Sequence, residues 1–244
     1  MRLYDMHSHI LPDFDDGAQN IAESLSLLEC LNAQEVNNVC LTPHFYTNEM
    51  SAIDFVEKRN EAFRKFLPYI PQGLNVVLGA EVFVTKYLFT NRDFSKLTYG
   101  KSNFILTEFA YSSTFSERTF KYFRKLIEEH GLTPVIPHVE RYDALIEDAS
   151  KIVELKKLGI LIQTNIANYA KKSPYFRRRK LLNLINEGYI DILGSDAHSF
   201  EHNTPEVFSQ AVDCIIDKCG VQRLRSMMDK AEYVFERALY GETE

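Results

Sequence analysis

The chain has 244 residues, 45% hydrophobic and 25% charged, with a formal net charge of −6. That length suits one large α/β unit, and the acidic balance argues against a general nucleic-acid or membrane-surface binder. No stretch approaches the roughly 20 apolar residues that span a bilayer.

Strand-like apolar runs are predicted at residues 2–6, 38–42, 75–79, 103–107, 133–137, 160–164 and 191–195, with helical patterns between them. Asn20 and Glu23 form a capping pair that opens a helix through Leu25, Leu28 and Leu31. Ser116 opens another, which Gly131 closes, and Gly159 and Gly188 close two more. Residues 86–100 read as an irregular helix-and-loop excursion, and beyond Glu206 two terminal helices are expected. Repeated β-then-α order predicts parallel strands covered by helices, and about seven units favour a closed or nearly closed barrel over an open sheet. No Pro/Gly/Ser linker or charge-shift boundary divides the chain, so a single domain over 1–244 is expected. Cys30, Cys40, Cys214 and Cys219 have neither a disulfide framework nor C-x-x-C zinc spacing. The N-terminus carries no apolar signal region. Reduced thiols, a cytoplasmic location and no membrane insertion are the expectation.

Potential metal ligands fall at equivalent places. His7 and His9 close the first predicted strand, and alternate strand positions share a face. Asp16 follows in the loop Asp13-Phe14-Asp15-Asp16-Gly17, His44 ends the second strand and Glu81 the third. Glu108 ends the fourth, His138 the fifth, and Asp196 and His198 the seventh. Strand six ends in Asn165, a polar residue placed to line a site without binding metal. Parallel barrels gather their chemistry at the C-terminal strand ends, because those loops share one mouth. A lone H-x-H or a lone Glu is weak. Six of seven strands converging on one rim is not chance placement, and a metal centre is the better reading. Four carboxylates and five neutral imidazoles suit three divalent ions with one bridging carboxylate, leaving about +2 for hydroxide and a phosphate dianion. The donors suit Mn, Fe or Zn.

The ordered set Asp5-Met6-His7-Ser8-His9-Ile10, Asp15-Asp16-Gly17, Thr42-Pro43-His44, Gly79-Ala80-Glu81, Glu108-Phe109, Pro137-His138-Val139-Glu140-Arg141-Tyr142 and Ser195-Asp196-Ala197-His198 resembles the polymerase-and-histidinol-phosphatase (PHP) family. Within that family it is most similar to the manganese-dependent tyrosine-protein phosphatases of bacterial capsular and exopolysaccharide operons. The resemblance covers about residues 1–240. It implies a distorted (β/α)7 TIM-like barrel with a trinuclear site, manganese the foremost candidate. His7, His9, Glu81 and Asp196 would hold the first ion, and Glu81, Glu108 and His138 the second. Asp16, His44 and His198 would hold the third. Arg141 would grip phosphate oxygens, and a metal-bound hydroxide would attack phosphorus in line. The implied substrate is a phosphotyrosine protein, a bacterial tyrosine autokinase that regulates polysaccharide synthesis. The alternative within the family is a small-molecule phosphatase acting on a compound such as histidinol phosphate.

Capsule-type members tend to carry further basic residues after the third-strand-like motifs, near the second histidine motif and after the final D-x-H. Here those stretches read His44-Phe45-Tyr46-Thr47-Asn48 and Glu201-His202-Asn203-Thr204-Pro205. Phe45 and Tyr46 are accordingly the expected stacking partners for a substrate ring. Cys219-x5-Arg225-Ser226 matches the spacing of cysteine-dependent tyrosine phosphatases, but it lies among helical stretches and reads as coincidence. His130 is expected to favour a helix C-terminus, His202 to face solvent, and Tyr142 to pack Arg141. The basic run 171–180 reads as a solvated helix face, with an acidic phosphorylated substrate segment as the competing assignment.

Overall fold

Short, near-continuous apolar runs form parallel strands buried on both faces, as a sheet wrapped by helices requires. In the computed structural model, which describes residues 1–90 and 93–241, β1 (Leu3–Ser8) leads through α1 (Ile21–Asn32) to β2 (Val36–Leu41) and the two-residue β3 (His44–Phe45). Next come α2 (Ala52–Phe66), β4 (Asn75–Leu78), β5 (Glu81–Phe83), β6 (Phe104–Glu108), α3 (Glu117–His130) and β7 (Thr133–Ile136). The short α4 (Asp143–Glu147) and α5 (Ala149–Lys157) precede β8 (Leu161–Asn165), α6 (Tyr175–Asn186) and β9 (Ile192–Gly194). Two helices follow, α7 (Phe208–Cys219) and α8 (Val221–Tyr240).

Seven strand positions are present, but the second and third are each broken in two. Pro43 has no N–H to continue the β2 ladder, and Gly79-Ala80 interrupts between β4 and β5. The first halves pair as β1-β2-β4 and the second halves join β3-β5-β6-β7-β8-β9. Every ladder is parallel. The curled sheet returns to its start at the Ser8–Ala197 bridge, where Asp196 N–H donates to the His7 carbonyl at 2.7 Å and His9 N–H to the Ala197 carbonyl at 2.9 Å. The result is a distorted barrel.

Helices cover this sheet with the stripes their sequences carry. Leu27, Leu28 and Leu31 of α1, Phe123 and Leu126 of α3, and Leu224, Met228 and Phe235 of α8 are buried in one core. Burying each such side chain contributes about 1.5–3 kcal/mol. The Asn20 side chain accepts from Glu23 N–H at 3.0 Å as expected, but Glu23 reaches back to Gln19 N–H at 2.9 Å, one residue earlier than a standard box. Ser116 precedes α3 without a side-chain cap; its carbonyl accepts from Thr119 and Phe120 instead. Among the described residues of the 86–100 excursion, a 3-10 turn covers Leu88–Thr90. Residues 91, 92 and 242–244, part of the expected 1–244 domain, lie outside the described residues. No helix among the described residues is long and apolar enough to cross a membrane.

Candidate metal centre

Strands β1, β6 and β8 run one or two residues further than the sequence suggests, so His7, Glu108 and Asn165 belong to strands rather than to the loops after them. Their side chains are thereby fixed by ladder geometry. His7 and His9 point to one face with Nε2 atoms 3.1 Å apart. Glu81, the first residue of β5, enters between them. Its Oε2 lies 3.3 Å from both of those nitrogens and 3.1 Å from His44 Nδ1, while its Oε1 meets His138 Nε2 at 2.7 Å. Asp196 Oδ1 lies 3.5 and 3.3 Å from the same pair of imidazoles. Glu108 stands 3.9 Å from His44 and 3.7 Å from His138. Asp16 Oδ1 is 3.7 Å from His44 Nε2 and 3.5 Å from His198 Nε2, on the open side, with its side chain 70% exposed.

All nine candidate ligands from the sequence therefore meet. Their donor atoms fall into the groups His9–Asp16–His44–His198, His7–His9–Asp196, His7–Glu81–His138 and His44–Glu81–Glu108, each within 4.8 Å. Glu108 thus groups with His44 as well as standing near His138. Glu81 Oε2, His44 Nδ1 and His138 Nδ1 are buried without a hydrogen-bond partner. An unsatisfied buried polar atom costs about 1–3 kcal/mol, yet Glu81 Oε2 has three ring nitrogens around it in contact rather than in hydrogen-bonding geometry. Imidazole nitrogens crowded around one buried carboxylate oxygen that none of them hydrogen-bonds fit a divalent cation, and imidazole with carboxylate and no thiolate fits Mn, Fe or Zn.

The electrostatics agree. Burial alone would raise Glu81 and Asp196, but His7 and its neighbours hold both carboxyls well below the usual range. Burial pushes His7 and His9 down; Glu81 and Asp196 for the first, and Asp15 for the second, reverse the sign and raise them. His198 is lowered to about 4 by burial and by the neighbouring His9, whose ring stacks on it at 4.1 Å.

Several functional residues escaped the sequence reading. Asp15 was visible only as part of a motif. Its Oδ2 accepts from His9 Nδ1–H at 2.7 Å and from His44 N–H at 3.0 Å, and its Oδ1 from Gly17 N–H at 3.1 Å. Burial would raise Asp15, but these partners hold it at about 2. An ionised Asp15 keeps the His9 proton on Nδ1 and turns the Nε2 lone pair into the cluster. Gln163 Oε1 accepts from His138 N–H at 2.7 Å and lies 3.3 Å from His7 Nδ1. Asp196 Oδ2 accepts from Arg141 Nη2 (2.6 Å), Asn165 Nδ2 (2.8 Å) and Asn203 Nδ2 (2.9 Å), which leaves Oδ1 for the imidazoles. Asn165 thus lines the site, as expected, by steering a carboxylate. His138 (φ 33°) and Asp196 (φ 54°) sit in the left-handed region, a cost of order 1–3 kcal/mol each, characteristic of functional sites. Two glycines make room: a Cβ on Gly17 would lie 1.9 Å from the His9 carbonyl oxygen, and one on Gly194 would lie 2.6 Å from His7 Cβ.

Arg141 ends a 3-10 turn (Val139–Arg141) beside the cluster, donating to Tyr111 OH at 2.9 Å with its guanidinium 5.5 Å from the Tyr111 ring centre. Tyr142 is fully buried, with its hydroxyl 3.0 Å from Phe109 N–H, and its ring lies 6.0 Å from His138. Tyr111, 52% exposed at the mouth and edge-on to His138, carried no sequence signal.

One substrate assignment is corrected. Phe45 is 0% exposed and packs on Phe55 at 4.9 Å, because strand alternation sends it away from the face His44 occupies. It cannot touch a substrate. Tyr46, back on the His44 side, is half-buried with its ring 5.2 Å from the imidazole. His130 packs on Phe94 at 4.3 Å, and exposed His202 sits edge-on to His198 at 5.2 Å. Cys219 ends α7, its thiol 3.5 Å from the Leu182 carbonyl and pushed up by burial, the opposite of an activated nucleophile.

Comparison with known proteins follows the same lines. Residues 3–235 match the family described as capsular polysaccharide synthesis, CpsB/CapC. The tyrosine-protein phosphatase CpsB of Streptococcus pneumoniae is 27% identical over 234 residues, 92% of this chain and 94% of that one. The putative tyrosine-protein phosphatase CapC of Staphylococcus aureus is 27% identical over 241 residues, covering 95% and 91%. A solved chain from work on YwqE of Bacillus subtilis and CpsB of S. pneumoniae, metal-dependent tyrosine phosphatases, superposes with a TM-score of 0.80 over 99% of this chain and 96% of its own. At 22% identity that likeness is one of fold.

Proposed function

This chain belongs to the CpsB/CapC capsular polysaccharide synthesis family, and from that premise we propose that it is a metal-dependent protein-tyrosine phosphatase. The observation that carries the reading is the meeting of nine His, Asp and Glu side chains from six strand positions around Glu81, whose Oε2 is buried and without a hydrogen bond. We assign one ion to His7, His9, Glu81 and Asp196, a second to Glu81, Glu108 and His138, and a third to Asp16, His44 and His198, with manganese the preferred metal. Divalent ions held by such ligands supply Lewis-acid charge and lower the pKa of water toward neutrality.

The remaining groups bind and orient. Arg141 offers its guanidinium to the phosphoryl oxygens while Tyr111 and Asp196 fix its plane, and such a fork suits bidentate anion contacts. Tyr46 and Tyr111 both feel the charges of Glu81 and Glu108, one beside His44 and the other beside His138, and so wall two sides of the mouth with aromatic surface. That surface favours an aryl phosphate. A phenolate leaving group, with a parent pKa of about 10, needs less protonation than an alkoxide. The substrate is accordingly a phosphotyrosine protein, in the setting this family suggests a tyrosine autokinase of polysaccharide export. Four free cysteines fit a reducing compartment, and we place the site of action in the cytoplasm.

The test compares hydrolysis of a phosphotyrosine peptide, a phosphoserine peptide and histidinol phosphate by the metal-loaded protein. The expected result is strong preference for the phosphotyrosine peptide. Faster turnover of histidinol phosphate assigns the site to a small molecule instead.

A further inference from the structure

Beyond Asn165 the chain passes through the 3-10 turn Ile166–Tyr169 and a short loop into α6. A helix that returns over a parallel strand starts on the side where the strand ends, so this turn stands on the rim of the same mouth. The loop after it carries Lys171 and Lys172, and the first turns of α6 carry Arg177, Arg178, Arg179 and Lys180; among the described residues none of the six forms an ion pair. All but Arg178 are exposed; Arg178 donates to the Ala170 carbonyl at 3.1 Å. Tyr175 and Phe176, 60% and 79% exposed, stand among them. Neither a side-chain cap nor an acidic residue opens α6. Three arginines in its opening turns oppose the helix dipole, and the like charges repel one another. Local stability therefore does not explain this composition, and it is unusual in a chain of net charge −6. Below the turn a cleft between α6 and α7 is lined by Tyr169, Lys171, Tyr175, Arg178 and Arg179, with Asp213 and Asp217 at its far side, the latter answered by Lys218 at 2.7 Å.

We propose that this rim is a docking surface for the polypeptide that carries the scissile phosphotyrosine, recognising acidic or phosphorylated residues that flank it. This rests on the phosphatase reading above and deepens it: the metal centre takes the phosphoryl group while the rim selects the chain. The occupant is a peptide rather than a membrane because the surface includes a concave cleft, follows in the chain directly from Asn165 of the metal centre, and presents exposed Tyr175 and Phe176 between its lysines and arginines, a composition that suits side chains of mixed anionic and aromatic character.

The experiment uses the full chain and the double variant Arg177→Glu/Arg179→Glu, both side chains being exposed and free of hydrogen bonds to the core. Steady-state kinetics are measured on a phosphotyrosine peptide with Asp/Glu flanks, the same peptide with Ser/Asn flanks, and p-nitrophenyl phosphate. The native chain is expected to favour the acidic peptide by about tenfold in kcat/KM, through KM, and to lose that preference near roughly 0.5 M NaCl. The variant is expected to lose the preference and to keep the other two rates within about twofold. Equal use of both peptides by the native chain, or equal slowing of all three substrates in the variant, overturns the proposal. Fluorescence anisotropy with an unphosphorylated Asp/Glu-rich peptide reads the surface without hydrolysis, so a wrong substrate assignment leaves this arm intact. Absence of binding there counts against the docking surface itself. Sedimentation with phosphatidylglycerol vesicles provides the remaining arm: variant-sensitive vesicle binding without peptide discrimination assigns the rim to lipid and refutes the proposal.

Discussion

Asp15→Asn separates ligand orientation from ligation. The native carboxylate is almost buried and accepts three hydrogen bonds, two on Oδ2 from His9 and His44 and one on Oδ1 from Gly17. An amide has one acceptor oxygen. Either its NH2 group confronts the Gly17 N–H, or it confronts His9, which then moves its proton to Nε2 and directs a donor into the cluster. One unmatched buried donor costs about 1–3 kcal/mol. Loss of an orienting partner of this kind lowers metal affinity by about 10–100-fold. Isothermal titration with Mn2+ and the manganese dependence of phosphatase activity should both shift by that factor, with the circular dichroism spectrum unchanged. Unaltered affinity would refute the orienting role, and so would a fall in activity at every metal concentration with the same half-saturation point.

Tyr111→Phe removes the hydroxyl that holds Arg141 Nη1; because that tyrosine is half-exposed, the loss is about 0.5–1 kcal/mol, or two- to fivefold in kcat/KM on a phosphotyrosine peptide. An unchanged ratio would show that Asp196 alone positions the guanidinium. In the metal-free protein the raised values of His7, His9 and His44 contribute stability below 6.5 that is lost as pH rises through them. The lowered Glu81 and Asp196 contribute above their ordinary 4.5 and 3.8 and are lost as pH falls. His198, held down to about 4, works against the three imidazoles but does not outnumber them. Thermal melts of the chelated protein should accordingly peak near pH 4.5–6.5 and decline above, whereas added Mn2+ should reverse the decline because ligands must be unprotonated to bind. A melt that rises steadily to pH 8 without metal contradicts this. Cys219→Ser should leave turnover intact, and iodoacetamide should not inhibit; thiol-dependent loss of activity would revive the cysteine mechanism.

The convergence of ligands was legible because two simple periodicities place it: alternation within a strand, and β-then-α order that brings strand ends to one rim. Alternation also shows why Phe45 was misjudged, since His44 and Tyr46 take the site face and the residue between them must enter the core. The broken second and third strands follow from Pro43 and Gly79, residues visible in the sequence whose effect depends on which neighbour each half-strand joins. Asp15 and Asp16 are indistinguishable by type and spacing; only burial makes one an orienter of histidine and leaves the other at the solvent edge. Tyr111 belongs to a loop, and its meeting with Arg141 across 30 residues has no local signature.

Metal content measured on the purified chain, paired with phosphotyrosine-peptide turnover before and after chelation, bears most directly on the metal centre. Near-stoichiometric divalent metal, activity abolished by chelator and restored by Mn2+ is the expected result. Protein that holds no metal and hydrolyses the peptide undiminished in excess chelator would contradict it.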